Sequence, residues 1–184
     1  MRSKIILFVI IATSVLQGKA QIYIADSCRI SFFSKTKMEN IDAVNTISKP
    51  IMSTATGEFD VSLSNAFFDF KKQLMKEHFN EDYMETAKYP KTVFTGKINE
   101  KIDFTKNGTD SISISGIMDM HGVKKNITIH GVMVVKDSVL YLKAIFRLFM
   151  KDYNIKIPSV VSLNLAESVD VTFTAAMVPY VVKK

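Results

Sequence analysis

The sequence predicts a mainly β fold: an antiparallel meander closed into a barrel and interrupted once by a helical excursion. Three observations carry this. From Thr92 onward, apolar residues alternate with polar ones at the two-residue period of a half-buried strand. Short turn signals separate these runs and no helical pattern lies between them, as in an antiparallel sheet. Between Phe67 and Phe79 the period shifts to three and four, and Pro90 then biases Tyr89 toward extended geometry, ending the helix and starting a strand. Closure removes the exposed edges that such a sheet would otherwise present.

The first stretch of the 184 residues reads as a leader. Arg2 and Lys4 precede an apolar run from Ile5 to Val15, and Gly18-Lys19-Ala20 puts small residues at the −3 and −1 positions. This is a secretory signal peptide, residues 1–20, cleaved after Ala20. A membrane anchor needs about 20 apolar residues, more than the run supplies. Residues before Cys28 are polar, unlike a lipidation site. Residues 21–184 are then one exported domain, periplasmic or secreted, with no stable membrane insertion. Loss of Arg2, Lys4 and Lys19 takes three positive charges from the formal +6, and the remaining lysines are interspersed with acids. That gives nucleic acid no basic patch to bind. A lone cysteine forms no internal disulfide, so the fold is held by its core, with Cys28 as a small buried hydrophobe.

In the mature chain, Ile22 and Ile24, then Cys28, Ile30 and Phe32, alternate with polar neighbours: one or two strands, broken near Asp26. A short strand over Ala43–Ile47, a turn at Ser48-Lys49-Pro50, and a strand over Ser53–Leu63 with a bulge at Gly57 follow. Ser64 can cap a helix over Asn65–His78 with Phe67, Phe70, Leu74 and His78 on one face. A second turn over Glu81–Thr86 completes a helical insertion at about residues 65–88. Strands then run over Thr92–Glu100, Asp110–Met120, Asn126–Val135, Val139–Lys151 and Ser168–Val178. Asn107-Gly108, His121-Gly122 and Lys136-Asp137-Ser138 supply turns, the first reading as a hairpin. Lys183 and Lys184 form a solvated tail.

The inward faces place Gly96, Gly116, Gly131, Ala144 and Ala175 near mid-strand, flanked by Met118, Met133, Phe146, Phe173 and Met177. Small residues at one height would leave a tunnel lined by adaptable thioethers and rings. The same glycines also permit the bending that barrel closure requires, around a filled core. Spacing alone leaves both open; a Gly131→Leu substitution is the probe it suggests.

Other chemistry has little support. His78, His121 and His130 form no metal-binding spacing, and polar positions at the barrel mouth explain His121 and His130. There is no Gly-x-Ser-x-Gly elbow for a nucleophile. Glu81-Asp82 sits on the excursion as a solvated pair. Asn107-Gly-Thr and Asn126-Ile-Thr match the glycosylation acceptor pattern.

Lys88-Tyr89-Pro90 with Phe94, then His121-Gly122-Val123-Lys124, then Asp152-Tyr153-x-Ile155 occur in an order and spacing that resemble the YceI-like family of exported, lipocalin-like, polyisoprenoid-binding proteins. The likeness spans residues 59–178; at Cys28-Arg29-Ile30-Ser31-Phe32 the histidine of many members' first strand is missing. The resemblance implies an eight-stranded antiparallel barrel with a helical insertion and a tunnel for a long isoprenoid, isoprenoid quinone or fatty amphiphile. It implies no enzyme and no cofactor, and leaves a homodimer open. On that reading Phe67, Phe68, Met75, Phe79, Met84, Phe94, Met118, Met133, Phe146, Phe173 and Met177 contact the lipid. His78 and Tyr83 meet its polar head. The alternative is an envelope protein–protein interaction module with a filled barrel and no ligand.

Overall fold

A computed structural model describes residues 21–35, 40–156 and 167–181; the leader over 1–20, its cleavage after Ala20, and the Lys183-Lys184 tail lie outside them. Among the described residues ten strands make one antiparallel sheet. They are β1 (Ile22–Ser34), β2 (Ile41–Asn45), β3 (Ile51–Ser53), β4 (Glu58–Ser64), β5 (Asp69–Phe70) and β6 (Lys91–Ile98), then β7 (Gly108–Met120), β8 (Val123–Lys136), β9 (Val139–Phe149) and β10 (Ser168–Pro179). Eight of them close a barrel in the order β1, β3, β4, β6, β7, β8, β9, β10 and back to β1, as the sequence predicts. Closure runs through β1 and β10, from Tyr23 opposite Pro179 to Phe33 opposite Asp170. On its other edge β1 pairs first with β3, and then, from Ile30 on, with β2. β5 adds to the outside of β2.

Local chemistry accounts for most of the joints. β1 is continuous, with a bulge between Ala25 and Ser27 where the sequence suggests a break. β7–β8 and β8–β9 turn through His121-Gly122 and Asp137-Ser138, each pair with two positive φ angles, the geometry of tight hairpins. Gly57 (φ 75°) is not a bulge: it closes the turn after β3, so the expected single strand over Ser53–Leu63 is a hairpin. Nor is Asn107-Gly108 a hairpin turn. Gly108 opens β7 opposite Val135, and the Asn107 side chain exchanges hydrogen bonds with Asp137 in the neighbouring turn (2.9 and 3.2 Å).

The excursion departs most from expectation. In place of a helix over Asn65–His78 there is a 3₁₀ turn (Asn65–Phe67), β5, a short α1 (Gln73–His78) and a π turn over Phe79–Tyr83. Ser64 makes no side-chain cap. Phe68 and Phe70 face inward two residues apart, an extended spacing fixed by pairing with β2, while Leu74 points out at 61% exposure. The join back to the barrel is polar and buried. Asn65 donates to the Tyr89 carbonyl (2.8 Å), accepts from the Thr92 hydroxyl (2.9 Å), and its backbone N–H donates to the Pro90 carbonyl (2.9 Å). Pro90 leads directly into β6.

Cys28 is buried on the inward side of β1 opposite Ala175, and burial pushes its thiol up to about 12. A thiolate is the reactive species, so at pH 8 the native thiol is expected to react with iodoacetamide about a thousandfold more slowly than free cysteine. Denaturant should restore the free rate. Mass-spectrometric labelling checks this, and fast native labelling would mean that Cys28 faces solvent.

Candidate functional site

The barrel is filled at one end and hollow at the other. At the end carrying the Asp137-Ser138 turn, Met52, Met133, Leu140 and Met177 are wholly buried (0% exposed). Met177 lies opposite Leu140 and Leu140 opposite Val135; Met133 is two residues from Val135, and Met52, opposite Tyr23, is two residues from the Ala25–Met177 pair, so these buried side chains lie close in level and make a plug. Toward the excursion the axis is empty: a cavity of about 380 Å³, a volume that suits a small-molecule or lipid site. It is a blind pocket and not the expected tunnel, because the plug stops it.

Alternation positions the walls. β1 supplies Ile30, Phe32 and Ser34, β10 supplies Val169, Val171 and Phe173, and β9 supplies Leu142, Ala144, Phe146 and Leu148. Ile129 and Gly131 of β8, Ile114, Met118 and Met120 of β7, Thr92 and Phe94 of β6, and Phe59, Val61 and Leu63 of β4 continue round the wall. The excursion forms the cover. Phe32 is its hub: its ring centroid lies 5.2 Å from Phe68, 5.9 Å from Phe70 and 5.6 Å from Phe79, which itself packs 5.1 Å from Phe70. Such centroid distances are those of favourable edge and offset ring contacts. Met75, His78 and Phe79 recur at three and four from α1 into the π turn, so this stretch turns that face to the cavity.

Ten of the thirteen residues expected at the ligand line this cavity: Phe68, Met75, His78, Phe79, Tyr83, Met84, Phe94, Met118, Phe146 and Phe173. The other three do not. Phe67 points away, 57% exposed, because the 3₁₀ turn rotates it outward. Met133 and Met177 belong to the plug. Phe32 was missed, although its place after Cys28 and Ile30 in the alternation marks it as inward. Ser34, Asn65 and Thr92 are buried polar wall residues that the sequence reading did not name, although alternation puts Ser34 in line with Ile30 and Phe32, and Thr92 in line with Phe94.

The small residues do not form a ring. Gly96 stands opposite Gly116, and Gly131 opposite Ala144, in two separate pairs; of these four only Gly131 and Ala144 border the cavity. A Cβ on Gly131 would lie 2.5 Å from the Lys143 carbonyl, so the glycine serves a close approach of β8 and β9.

Charge is confined to the rim and the outside. His78 is exposed, and burial, then the negative charge of Asp82, raise the Tyr83 hydroxyl above its ordinary value and keep it neutral. His121 is not an outward mouth residue as expected. It is buried in the β7–β8 turn, its Nδ1 3.0 Å from the Tyr153 carbonyl and its Nε2 2.9 Å from the Glu85 carboxylate, with Tyr89 packed at 4.3 Å. This ties the end of the excursion to the barrel. His130 faces out from β8 opposite Ser113, about 25 Å of strand away. Among the described residues no group of three or more histidine, cysteine or acidic side chains could hold a metal ion.

The comparisons agree with this architecture. The family model for the YceI-like domain matches residues 21–177. A polyisoprenoid-binding domain from Saccharophagus degradans, implicated in plant cell wall breakdown, superimposes with a TM-score of 0.73 at 16% identity, over 86% of this chain and 98% of that one. BcnA of Burkholderia cenocepacia gives 0.68 at 13% identity, over 81% and 95%, and the YceI protein of Campylobacter jejuni 0.56 at 16%, over 80% and 84%. No curated protein matches the chain.

Proposed function

This chain belongs to the YceI-like family, and from that premise we propose that it binds an elongated apolar lipid of the polyisoprenoid class in its barrel and sequesters or transports it, without catalysis. The observation that carries the reading is the blind apolar cavity under an aromatic cover. The plug ends the path of an apolar chain inside the barrel, and the Phe32 cluster closes over it near the mouth. Binding is then desolvation, at roughly 0.8 kcal/mol per buried methylene, so a few isoprene units give tight association. The related Saccharophagus domain, described as polyisoprenoid-binding, supports the ligand class. The leader over residues 1–20 supports a periplasmic or secreted carrier.

Native mass spectrometry of the protein from its own host, followed by organic extraction, tests this. A stoichiometric long-chain isoprenoid is the expected result. An apo mass together with no uptake of added isoprenoids by the refolded protein would overturn it.

A further inference from the structure

One wall residue is out of keeping with the cavity. Ser34 is the last residue of β1, at an inward position after Ile30 and Phe32, where the strand pattern calls for an apolar side chain. It is 3% exposed, and its hydroxyl has no hydrogen-bond partner among the described residues. A buried hydroxyl without a partner is unfavourable, and such groups are rare. The other two buried polar residues of the wall are already engaged: the Thr92 hydroxyl donates to Asn65, and Asn65 donates to the Tyr89 carbonyl. Ser34 alone is left with its donor and acceptor unused.

The surroundings narrow what it can meet. Ser34 follows Phe32, the hub of the aromatic cover, so it lies in the half of the cavity nearest the mouth. No lining side chain among the described residues brings a positive charge inward. His78 is exposed at the rim, and Lys143 stands at an exposed, outward position of β9 between Leu142 and Ala144. An anionic head drawn beneath the cover would lose its hydration and find no countercharge, which is costly in an apolar site. An uncharged oxygen needs only one donor. A serine hydroxyl turns between staggered rotamers, so it can swing from the wall to a ligand.

We propose that Ser34 is the hydrogen-bonding anchor for an uncharged oxygen of the cargo, an alcohol or a carbonyl, held under the aromatic cover and not at His78 and Tyr83 on the rim. This rests on the lipid-binding reading above. Ser34 thereby favours an oxygen-bearing head over bare hydrocarbon, and the uncharged wall around it disfavours an anionic one.

The test uses three probes of one chain length, geranylgeraniol, its parent hydrocarbon and geranylgeranoic acid, titrated into the refolded protein and Ser34→Ala by displacement of a fluorescent lipid. For the native protein the alcohol should bind about three- to tenfold tighter than the hydrocarbon, the yield of one hydrogen bond, and the acid more weakly than the alcohol. Ser34→Ala should erase the alcohol's advantage, leave the hydrocarbon unchanged, and keep or raise the melting temperature. If the hydrocarbon binds but the alcohol's advantage survives in Ser34→Ala, Ser34 is not the anchor. Equal binding of acid and alcohol overturns the selection for neutral heads. If even the hydrocarbon fails to bind, it is the carrier reading itself that falls.

Discussion

Ala144→Phe is expected to reduce isoprenoid binding by a hundredfold or more while the barrel stays folded. Ala144 is an inward residue of β9, 9% exposed, opposite Gly131 on one side and Phe173 on the other, and it borders the cavity. A ring added there projects into space that is empty in the protein and occupied by chain in the complex. It removes room for several methylenes, each contributing roughly 0.8 kcal/mol, so a hundredfold loss needs only about four of them displaced. Stability should change by less than about 1.5 kcal/mol, since the ring fills a void and does not displace packed neighbours. Lipid displacement and thermal unfolding, run on one preparation, read both quantities. Unchanged binding would mean that the chain does not pass Ala144; gross unfolding would mean that the space is not there.

This variant replaces the one that the sequence suggests. Gly131→Leu looks like a cavity-filling change when the glycines are read as a row of small inward residues. In the fold the first atom of any side chain at 131 meets the Lys143 carbonyl, so that variant would lose stability whether or not lipid binds, and it cannot separate the readings.

What the sequence could and could not say has a physical basis. Alternation reports which face of a strand is inward, and it placed Ile30, Phe94, Met118, Phe146 and Phe173 correctly. It does not report height along the barrel, which depends on how strands are staggered. Met118 therefore lines the cavity while Met133, on the next strand and the same side of the sheet, plugs the far end. The excursion is ambiguous in the sequence because a short aromatic segment satisfies two periods at once. Phe67, Phe70 and Leu74 suit a helix, but pairing of β5 with β2 imposes the extended spacing of Phe68 and Phe70. Tertiary pairing outweighed local propensity there, as it commonly does for short elements. Of the residues that carry the YceI-like resemblance, Phe94 and Ile155 line the cavity and others tie the fold together. Tyr89 and Pro90 receive hydrogen bonds from Asn65, and the buried His121 ring is bonded to the Tyr153 carbonyl.

Gly116→Ala is the substitution expected to harm the fold most. Its Cβ would lie 2.2 Å from the Thr95 carbonyl oxygen and 2.4 Å from the Gly96 Cα, both backbone atoms of the paired strand β6. Neither can swing aside as a side-chain tip would, so β6 and β7 must separate or shift register. Overpacking of this kind costs about 3 kcal/mol or more. For a domain of this size that is a fall in melting temperature of roughly 6–12 °C. Gly108→Ala is the matched control, because nothing lies within 4 Å of its Cβ and its melting temperature should hardly move. Should Gly116→Ala melt with the native protein, the close approach of β6 and β7 is not a feature of the folded state. The expected result assigns Gly96 and Gly116 to barrel closure. The hollow is then the space left among large apolar side chains on the excursion's side of the plug, where Phe59 of β4 and Phe173 of β10 meet at 5.9 Å.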